Sequence, residues 1–230
     1  MARPAGLPIR SERLARKPVS MILRFLPHSP YVRKVLVAAH ELGAIEEIEI
    51  VEAHVFDPAT PLLGENPMGK VPALVRDDGS VLYDSTVICE WLDARDGRTR
   101  LFPANGEARI QALRRNALGD GLGQAATWNI RERYRPDGER SDGYMAYYER
   151  TIERCLAALE DEAQADDGAA RRFDIGDIAI ACALSYLDFR YPDRGWRGRY
   201  PALAGWCAEG LARPSMAATG LAAYSGPLSP

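Results

Sequence analysis

The feature that most constrains the fold is a change of hydrophobic periodicity partway along the 230-residue chain. Before about residue 95, short apolar runs alternate with amphipathic helical segments, whereas beyond about residue 107 the period is helical throughout. This pattern predicts a small α/β domain followed by an all-α domain. A chain of this length buries enough surface to stabilise both.

The first part predicts a strand, a helix and a second strand. Met21–Leu26 (MILRFL) is apolar and stops at Pro27, which is typical of a buried strand. Apolar residues recur at helical spacing over 32–42, and Gly43 is placed to end that helix. Glu47–Ile50 alternates polar and apolar residues, as a strand does. This βαβ order predicts a parallel pair of strands covered by the helix.

A hairpin and a third helix complete the first part. Val71–Val75 and Val81–Tyr83 are short strand candidates, joined by the Asp77-Asp78-Gly79 turn. Asp84-Ser85-Thr86 offers capping side chains to a helix that carries the apolar residues of 87–92. The predicted order is therefore βαβ followed by ββα.

The second part predicts a bundle of helices. Two apolar stripes, within residues 110–118 and 144–159, have helical spacing. Asp174 and Asp177 have the spacing of a capping box. We expect the apolar segment 178–187 at the centre of the bundle, because it is apolar on nearly every side.

Three regions follow from these patterns. We expect the α/β domain over residues 21–100 and the helical domain over residues 107–225, with a polar linker near residues 96–107. Residues 1–20 carry five basic residues and one acidic residue, so their formal charge is +4 in a chain of net charge −3. Their three prolines and lack of an apolar face predict a disordered tail that the fold does not need.

Composition excludes several classes of protein. No apolar run approaches the roughly 18 residues that span a membrane, and a mildly acidic chain is a poor nucleic-acid binder. The four cysteines form no C-x-x-C pair and the three histidines form no cluster with zinc spacing, so we expect no metal. Without a signal peptide or paired cysteines, we expect a soluble protein of the cytoplasm.

Five segments stand out by their order and spacing. They are Ser29–Val35 (SPYVRKV), Asn66–Leu74 (NPMGKVPAL), Asp84-Ser85, Phe173–Asp177 (FDIGD) and Arg213–Ser215. Together they resemble the soluble, bacterial-type glutathione S-transferase family, with a serine-type active site. The resemblance implies a thioredoxin-like βαβ–ββα domain, an all-α helical-bundle domain after it, glutathione as co-substrate, and a homodimer.

The resemblance places the reactive sulfur at the start of the first helix. Ser29 is similar in position to the Cys that opens C-P-Y in the omega type, and His28 occupies the position where related classes keep a catalytic Ser. The resemblance implies that Ser29 donates a hydrogen bond to the glutathione thiolate, which a helix N-terminus also favours. The alternatives are that Ser29 only caps the helix and that His28 is a solvated loop residue.

The resemblance also implies a glutathione-binding set, which comprises Lys70, Val71, Pro72, Asp84 and Ser85. Val71-Pro72 is similar to the family's cis-proline site, where the backbone before the proline pairs with the cysteinyl part of glutathione. Ser85 would receive the γ-glutamyl carboxylate, and Asp84 would face the ammonium group. Lys70 would meet the glycyl carboxylate. The alternatives are helix capping by Asp84 and Ser85 and a solvated Lys70.

The function that this resemblance implies is conjugation of the glutathione thiolate to small electrophilic, largely apolar compounds, with a role in detoxification. The second substrate would lie between the domains, where Trp128, Tyr134 and Asn116 are candidates that core packing explains equally well. An alternative is a glutathione-dependent isomerase, dehalogenase or peroxidase that uses the same site. Another is a non-catalytic glutathione-binding or interaction protein.

Overall fold

A computed structural model of the chain describes residues 20–97, 99–165 and 172–221. Most of the predicted tail, residues 1–19, lies outside the described residues, as do residues 222–225 at the end of the predicted helical domain. The strands are β1 (Met21–Phe25), β2 (Ile48–Glu52), β3 (Ala73–Val75) and β4 (Val81–Leu82). The helices are α1 (Pro30–Leu42), α2 (Leu62–Glu65), α3 (Ser85–Ala94), α4 (Gly106–Arg133), α5 (Asp142–Gln164), α6 (Ile175–Arg190), α7 (Trp196–Arg199), α8 (Pro201–Leu211) and α9 (Pro214–Ala218).

The four strands form one mixed sheet in the order β2-β1-β3-β4. β1 pairs in parallel with β2 and antiparallel with β3, which in turn pairs antiparallel with β4. Leu23 of β1, Val35 of α1 and Ile88 of α3 are fully buried in one core, so α1 and α3 cover the sheet. This is the predicted thioredoxin-like arrangement, and α4 to α9 form the helical part that follows it.

The central helix of the second part is α6, as the sequence predicts. Asp174 caps it by accepting hydrogen bonds from Gly176 N and Asp177 N, and the Asp177 carboxylate accepts from Asp174 N in return. This reciprocal capping satisfies donors that the first turn of a helix leaves free. The apolar residues after it are buried on nearly every side, from Ile178 to Leu187.

The apolar stripe predicted at the start of α4 is only partly right, because Leu113 and Leu118 pack against the core whereas Ile110 and Ala117 are exposed. Ile110 is exposed, and the buried face of α4 consists mainly of small or polar residues, namely Ala112, Asn116, Gly119, Leu122, Gly123, Ala125, Ala126, Asn129 and Ile130. The reason is close packing, because a Cβ atom at Gly119 would lie 2.6 Å from backbone atoms of Ala179 and Ile180 in α6. A hydrophobic pattern does not predict a helix face that is buried because its side chains are small.

The cysteines pack as apolar groups. Cys89, Cys182 and Cys207 are buried and Cys155 is half-buried, and all four are free thiols. Burial raises the pKa of Cys89 to about 12 and those of Cys182 and Cys207 to about 11. They therefore stay protonated and weakly reactive at neutral pH. Within the described residues, no group of His, Cys, Asp and Glu side chains is arranged to hold a metal ion.

None of the helices in the described ranges combines the length and the apolar character needed to cross a bilayer.

Candidate active site

The sheet topology brings three of the predicted site segments to one edge. β1 ends at this edge, and the chain continues through Ser29 into α1. Because β3 runs opposite to β1, the Val71-Pro72 bond that precedes β3 lies at the same edge. β4 runs opposite to β3 and also ends there, where Asp84-Ser85 opens α3. Two helix N-termini and one extended loop therefore surround a common space.

Ser29 caps α1 and still has a hydrogen-bond donor available. Its Oγ accepts a hydrogen bond from Val32 N at 3.3 Å, and Pro30 occupies the first position of the helix. A serine hydroxyl accepts through its lone pairs while its own O–H donates elsewhere. Capping and a hydrogen bond to a bound thiolate are therefore compatible at Ser29.

His28 is buried, so the expectation of a solvated loop residue is wrong. It is 8% exposed, and its ring stacks on Phe189 of α6 with ring centroids 4.7 Å apart and an interplanar angle of 15°. Its φ of +71° places the backbone in the left-handed region, which non-glycine residues rarely adopt. The turn before Ser29 therefore packs against α6 through this aromatic contact.

Asn66 organises the loop before β3, a role that the sequence interpretation missed. The Asn66 side chain is fully buried; its Nδ2 donates to Lys70 O at 2.7 Å and its Oδ1 accepts from Met68 N at 3.0 Å. The Val71-Pro72 bond is cis, as the resemblance implies. The Lys70 side chain is exposed at the surface. Asn66 thus fixes the backbone that leads to the cis bond.

Asp84 and Ser85 have different roles at the start of α3. The Asp84 carboxylate accepts a hydrogen bond from Thr86 N at 3.0 Å and so caps the helix. Ser85 is 2% exposed, and its hydroxyl forms no side-chain hydrogen bond with any group in ranges 20–97, 99–165 and 172–221. The Ser85 hydroxyl can therefore donate a hydrogen bond to a ligand acceptor.

A buried lysine joins the two helix starts. Lys34 of α1 is 1% exposed, and its Nζ lies 2.7 Å from Asp120 Oδ2 of α4. The same ammonium donates to Thr86 Oγ1 of α3 and to Asn116 Oδ1 of α4, each at 3.1 Å. Its three donors are thus satisfied, which a buried ammonium requires. Because Thr86 N is the group that Asp84 caps, this network reaches directly to the site.

The network also places two other residues. Asn116, a candidate for the second-substrate wall, is buried and donates to Thr86 Oγ1 and Asp120 Oδ2, so hydrogen bonding in the core accounts for it. Tyr31 Oη donates to Asp120 O at 3.2 Å, and burial raises the pKa of Tyr31. Tyr31 therefore remains a neutral phenol. Trp128 of α4 and Tyr134, which follows it, are exposed.

Arg33, a second buried cation of α1, forms hydrogen bonds with α6 and with the residues of α9 and just after it. Arg33 Nη2 donates to Met216 O at 3.0 Å, Arg33 Nε donates to Thr219 Oγ1 at 3.4 Å, and Nη1 donates to Ser185 Oγ. These bonds fasten α1 to α6 and to the α9 segment. Lys34 and Arg33 therefore bind α1 to different neighbouring helices, and together they fix the position of its N-terminus at the site.

Comparison with known proteins gives a family for this fold and site. The chain matches the glutathione S-transferase N-terminal domain over residues 28–95 and the glutathione S-transferase C-terminal domain over residues 88–209. It is 30% identical over 193 residues to the uncharacterized GST-like protein YibF of Escherichia coli, an alignment that covers 83% of this chain and 94% of YibF. The chain belongs to the glutathione S-transferase family.

Solved structures of similar proteins contain glutathione or a glutathione conjugate. A glutathione S-transferase from Methylobacillus flagellatus with glutathione bound is 35% identical, with a TM-score of 0.82 over 87% of this chain and 99% of that one. A glutathione transferase family member from Pseudomonas fluorescens with bound glutathione is 40% identical, with a TM-score of 0.78 over 87% and 98%. The latter protein has also been solved with bound S-(propanoic acid)-glutathione.

Proposed function

We propose that this protein binds glutathione at the shared edge of the sheet and transfers its thiolate to small electrophilic compounds. The observation that carries the proposal is the pair of helix N-termini at that edge, one with the Ser29 hydroxyl and the other with the Ser85 hydroxyl, which has no side-chain hydrogen bond within the described residues. Helix N-termini favour anions, and glutathione brings a thiolate and carboxylates. Relatives that bind glutathione support this assignment.

In this proposal each residue has a defined role. Ser29 O–H donates to the sulfur and lowers the free energy of the thiolate, whose lone pair forms the new S–C bond as the leaving group departs. The Val71 backbone before the cis bond pairs with the cysteinyl part of glutathione. Ser85 binds the γ-glutamyl carboxylate, and the exposed carboxylate of Asp84 binds the ammonium group. Lys70 extends towards the glycyl carboxylate.

The remaining roles are also proposals. His28 contributes by positioning, because its ring packs on Phe189 and fixes the turn before Ser29. We propose a homodimer, as the family resemblance implies, and sedimentation equilibrium of the purified chain tests it. A molecular mass near twice 25.3 kDa is the expected result, and a monomer would contradict it.

Calorimetric titration with glutathione tests the binding site. Wild type is expected to bind, and Ser85→Ala to bind at least about ten-fold more weakly, because it loses a hydrogen bond to a charged group. Ser141→Ala is a matched control, since Ser141 caps α5 and should leave the affinity unchanged. Absence of binding to wild type at millimolar glutathione would overturn the proposal.

Turnover tests the reaction itself. The rate of conjugation to an aryl halide such as 1-chloro-2,4-dinitrobenzene is followed with saturating glutathione. Wild type should form the thioether, and Ser29→Ala should be slower. Glutathione binding without turnover of any electrophile would indicate a binding protein in place of a transferase.

A further inference from the structure

The turn between β1 and α1 contains a residue type that its backbone conformation does not favour. The Ser29 N–H donates to Leu26 O at 3.3 Å and closes a β-turn over residues 26–29. His28 is the third residue of that turn, and its φ of +71° is a value that glycine or asparagine adopts more readily. Strain of this kind persists where surrounding contacts impose it, so the contacts of the His28 ring are informative.

One contact of the His28 ring reaches out of the α/β domain. The ring stacks on Phe189, near the end of α6, with centroids 4.7 Å apart and an interplanar angle of 15°. Aromatic pairs at this separation contribute more than the burial of their area. His28 is buried and Phe189 is half-buried, so the stack is largely shielded from water. The end of α6 therefore supports the strained turn.

The same face of α6 contacts α1 one helical turn away. Ser185 precedes Phe189 by four residues and therefore lies on the same face of α6. The Ser185 Oγ accepts a hydrogen bond from Arg33 Nη1. The Arg33 N–H in turn donates to Ser29 O at 3.0 Å in the first turn of α1. Ser29 thus lies between two residues, 28 and 33, that contact one face of α6.

We propose that Phe189 is a positioning residue of the transferase reaction: by stacking on His28, it keeps the Ser29 hydroxyl directed at the glutathione sulfur. The inference rests on the proposed function, which assigns that hydroxyl to the sulfur. It gives the helical part a role in forming the thiolate, whereas every residue assigned above to glutathione lies in the α/β domain. Without the stack, the turn can leave its strained conformation, and the thiolate loses an aligned donor.

Four variants separate positioning from stability, because Phe189 also packs against the core of the helical part. Phe189→Leu removes the aromatic ring, and Phe189→Tyr keeps it. His28→Asn removes the other ring but keeps a residue type that tolerates a positive φ. Phe173→Leu is the matched control, because Phe173 is a half-buried phenylalanine that packs against a core just before the opposite end of α6.

The first measurement is the pKa of the bound glutathione thiol, from ultraviolet absorption of the thiolate and from kcat against pH with 1-chloro-2,4-dinitrobenzene. Phe189→Leu and His28→Asn should each raise this pKa by about one unit, which leaves about ten-fold less thiolate below the pKa. Turnover should fall by about the same factor at low pH and recover at high pH, where the thiol is ionised in every variant. Phe189→Tyr and Phe173→Leu should behave as wild type does.

A double variant tests whether the two rings act through one contact. Phe189→Leu combined with His28→Asn should show the pKa shift of either single variant and not the sum of both, because each change removes the same stack. Calorimetry with S-methylglutathione, which has no ionisable thiol, measures the rest of the site. Its affinity should differ by less than about two-fold between wild type and Phe189→Leu, since the other contacts of the ligand remain.

Three results would overturn the inference: an unchanged thiol pKa in Phe189→Leu, an equal shift in Phe173→Leu, or additive shifts in the double variant. If Phe189→Leu does not fold by circular dichroism, Phe189→Met takes its place, since its flexible side chain also lacks the ring. In each case glutathione binding and turnover by wild type would leave the proposed function intact. Failure of wild type to bind glutathione would instead reject the proposed function, and the role of Phe189 with it.

Discussion

The starts of α1 and α3 face the same space but are built differently. At α1 a single hydroxyl, that of Ser29, caps the helix and is also the donor proposed for the thiolate. At α3 the carboxylate of Asp84 caps the helix, while the neighbouring Ser85 hydroxyl is left without a side-chain partner in the described structure. Stability and ligand binding are therefore combined in one residue at α1 and separated between two residues at α3.

This difference predicts which substitutions affect stability, which affect binding and which affect both. A change at Ser85 should alter affinity alone, whereas a change at Ser29 should alter folding and chemistry together. A change in the buried network that both helices share should disturb both starts at once. These expectations concern different measured quantities, namely stability, affinity and turnover, so they are separable by experiment.

The largest effect is expected from Asp120→Ala. This substitution removes the counter-ion of Lys34 and leaves a buried ammonium between α1 and α3, which should cost about 3 kcal/mol of unfolding free energy. Adding Lys34→Met to the same chain should recover a large part of that loss, because the uncompensated charge is then gone. Urea unfolding of the single and double variants measures both quantities. A loss below about 1 kcal/mol in Asp120→Ala would contradict a structural role for the pair.

Ser29→Ala should give the next largest effect, and Ser141→Ala is its matched control. Both serines cap a helix through a 3.3 Å hydrogen bond to the backbone N–H three residues on, so both variants should lose about 1 kcal/mol of stability. Only Ser29→Ala should also slow turnover, by roughly a hundred-fold, and raise the pKa of the bound glutathione thiol. Ultraviolet absorption of the thiolate against pH measures that pKa. Equal turnover in the two variants would remove Ser29 from the reaction.

The smallest effects are expected at Asp84, where two substitutions separate its tasks. Asp84→Asn keeps a good capping side chain but loses the charge, so stability should be unchanged and glutathione affinity should fall only a few-fold. Asp84→Ala also loses the cap, and a further decrease of about 1 kcal/mol in unfolding free energy is expected. Thermal unfolding and calorimetry together distinguish the two. If Asp84→Asn destabilised the protein as much as Asp84→Ala, the carboxylate charge would be part of the cap.

Local signals made much of the fold predictable from the sequence. The strands and α1 follow from apolar periodicity and from Gly43, which ends the helix in the left-handed conformation. The start of α6 follows from the capping pattern at Asp174 and Asp177, whose partners are close in sequence. The buried face of α4 was missed because it is selected for close backbone approach at Gly119, a property that depends on α6.

The candidate site was predictable only where its local structure is encoded by neighbouring residues. Asp84 as a helix cap and the Val71-Pro72 loop lie in short segments with recognisable residues. Lys34 gave no such signal, because a lysine in an amphipathic helix is normally solvated and its partners are 52 to 86 residues away.

Arg33 and Lys34 are consecutive on α1, yet Arg33 binds α6 and the α9 segment while Lys34 binds α3 and α4. If the helical part unfolded, Arg33 and Lys34 of α1 would both lose hydrogen-bond partners. If the α/β part unfolded, the partners of these cations in α4, α6 and the residues after α8 would be left without their donors. Two regions that differ in sequence pattern should therefore melt as one cooperative unit. We expect a single calorimetric transition with equal van't Hoff and calorimetric enthalpies. Amide protons of α1 should then exchange only through global unfolding, which makes this helix the last part of the protein to open.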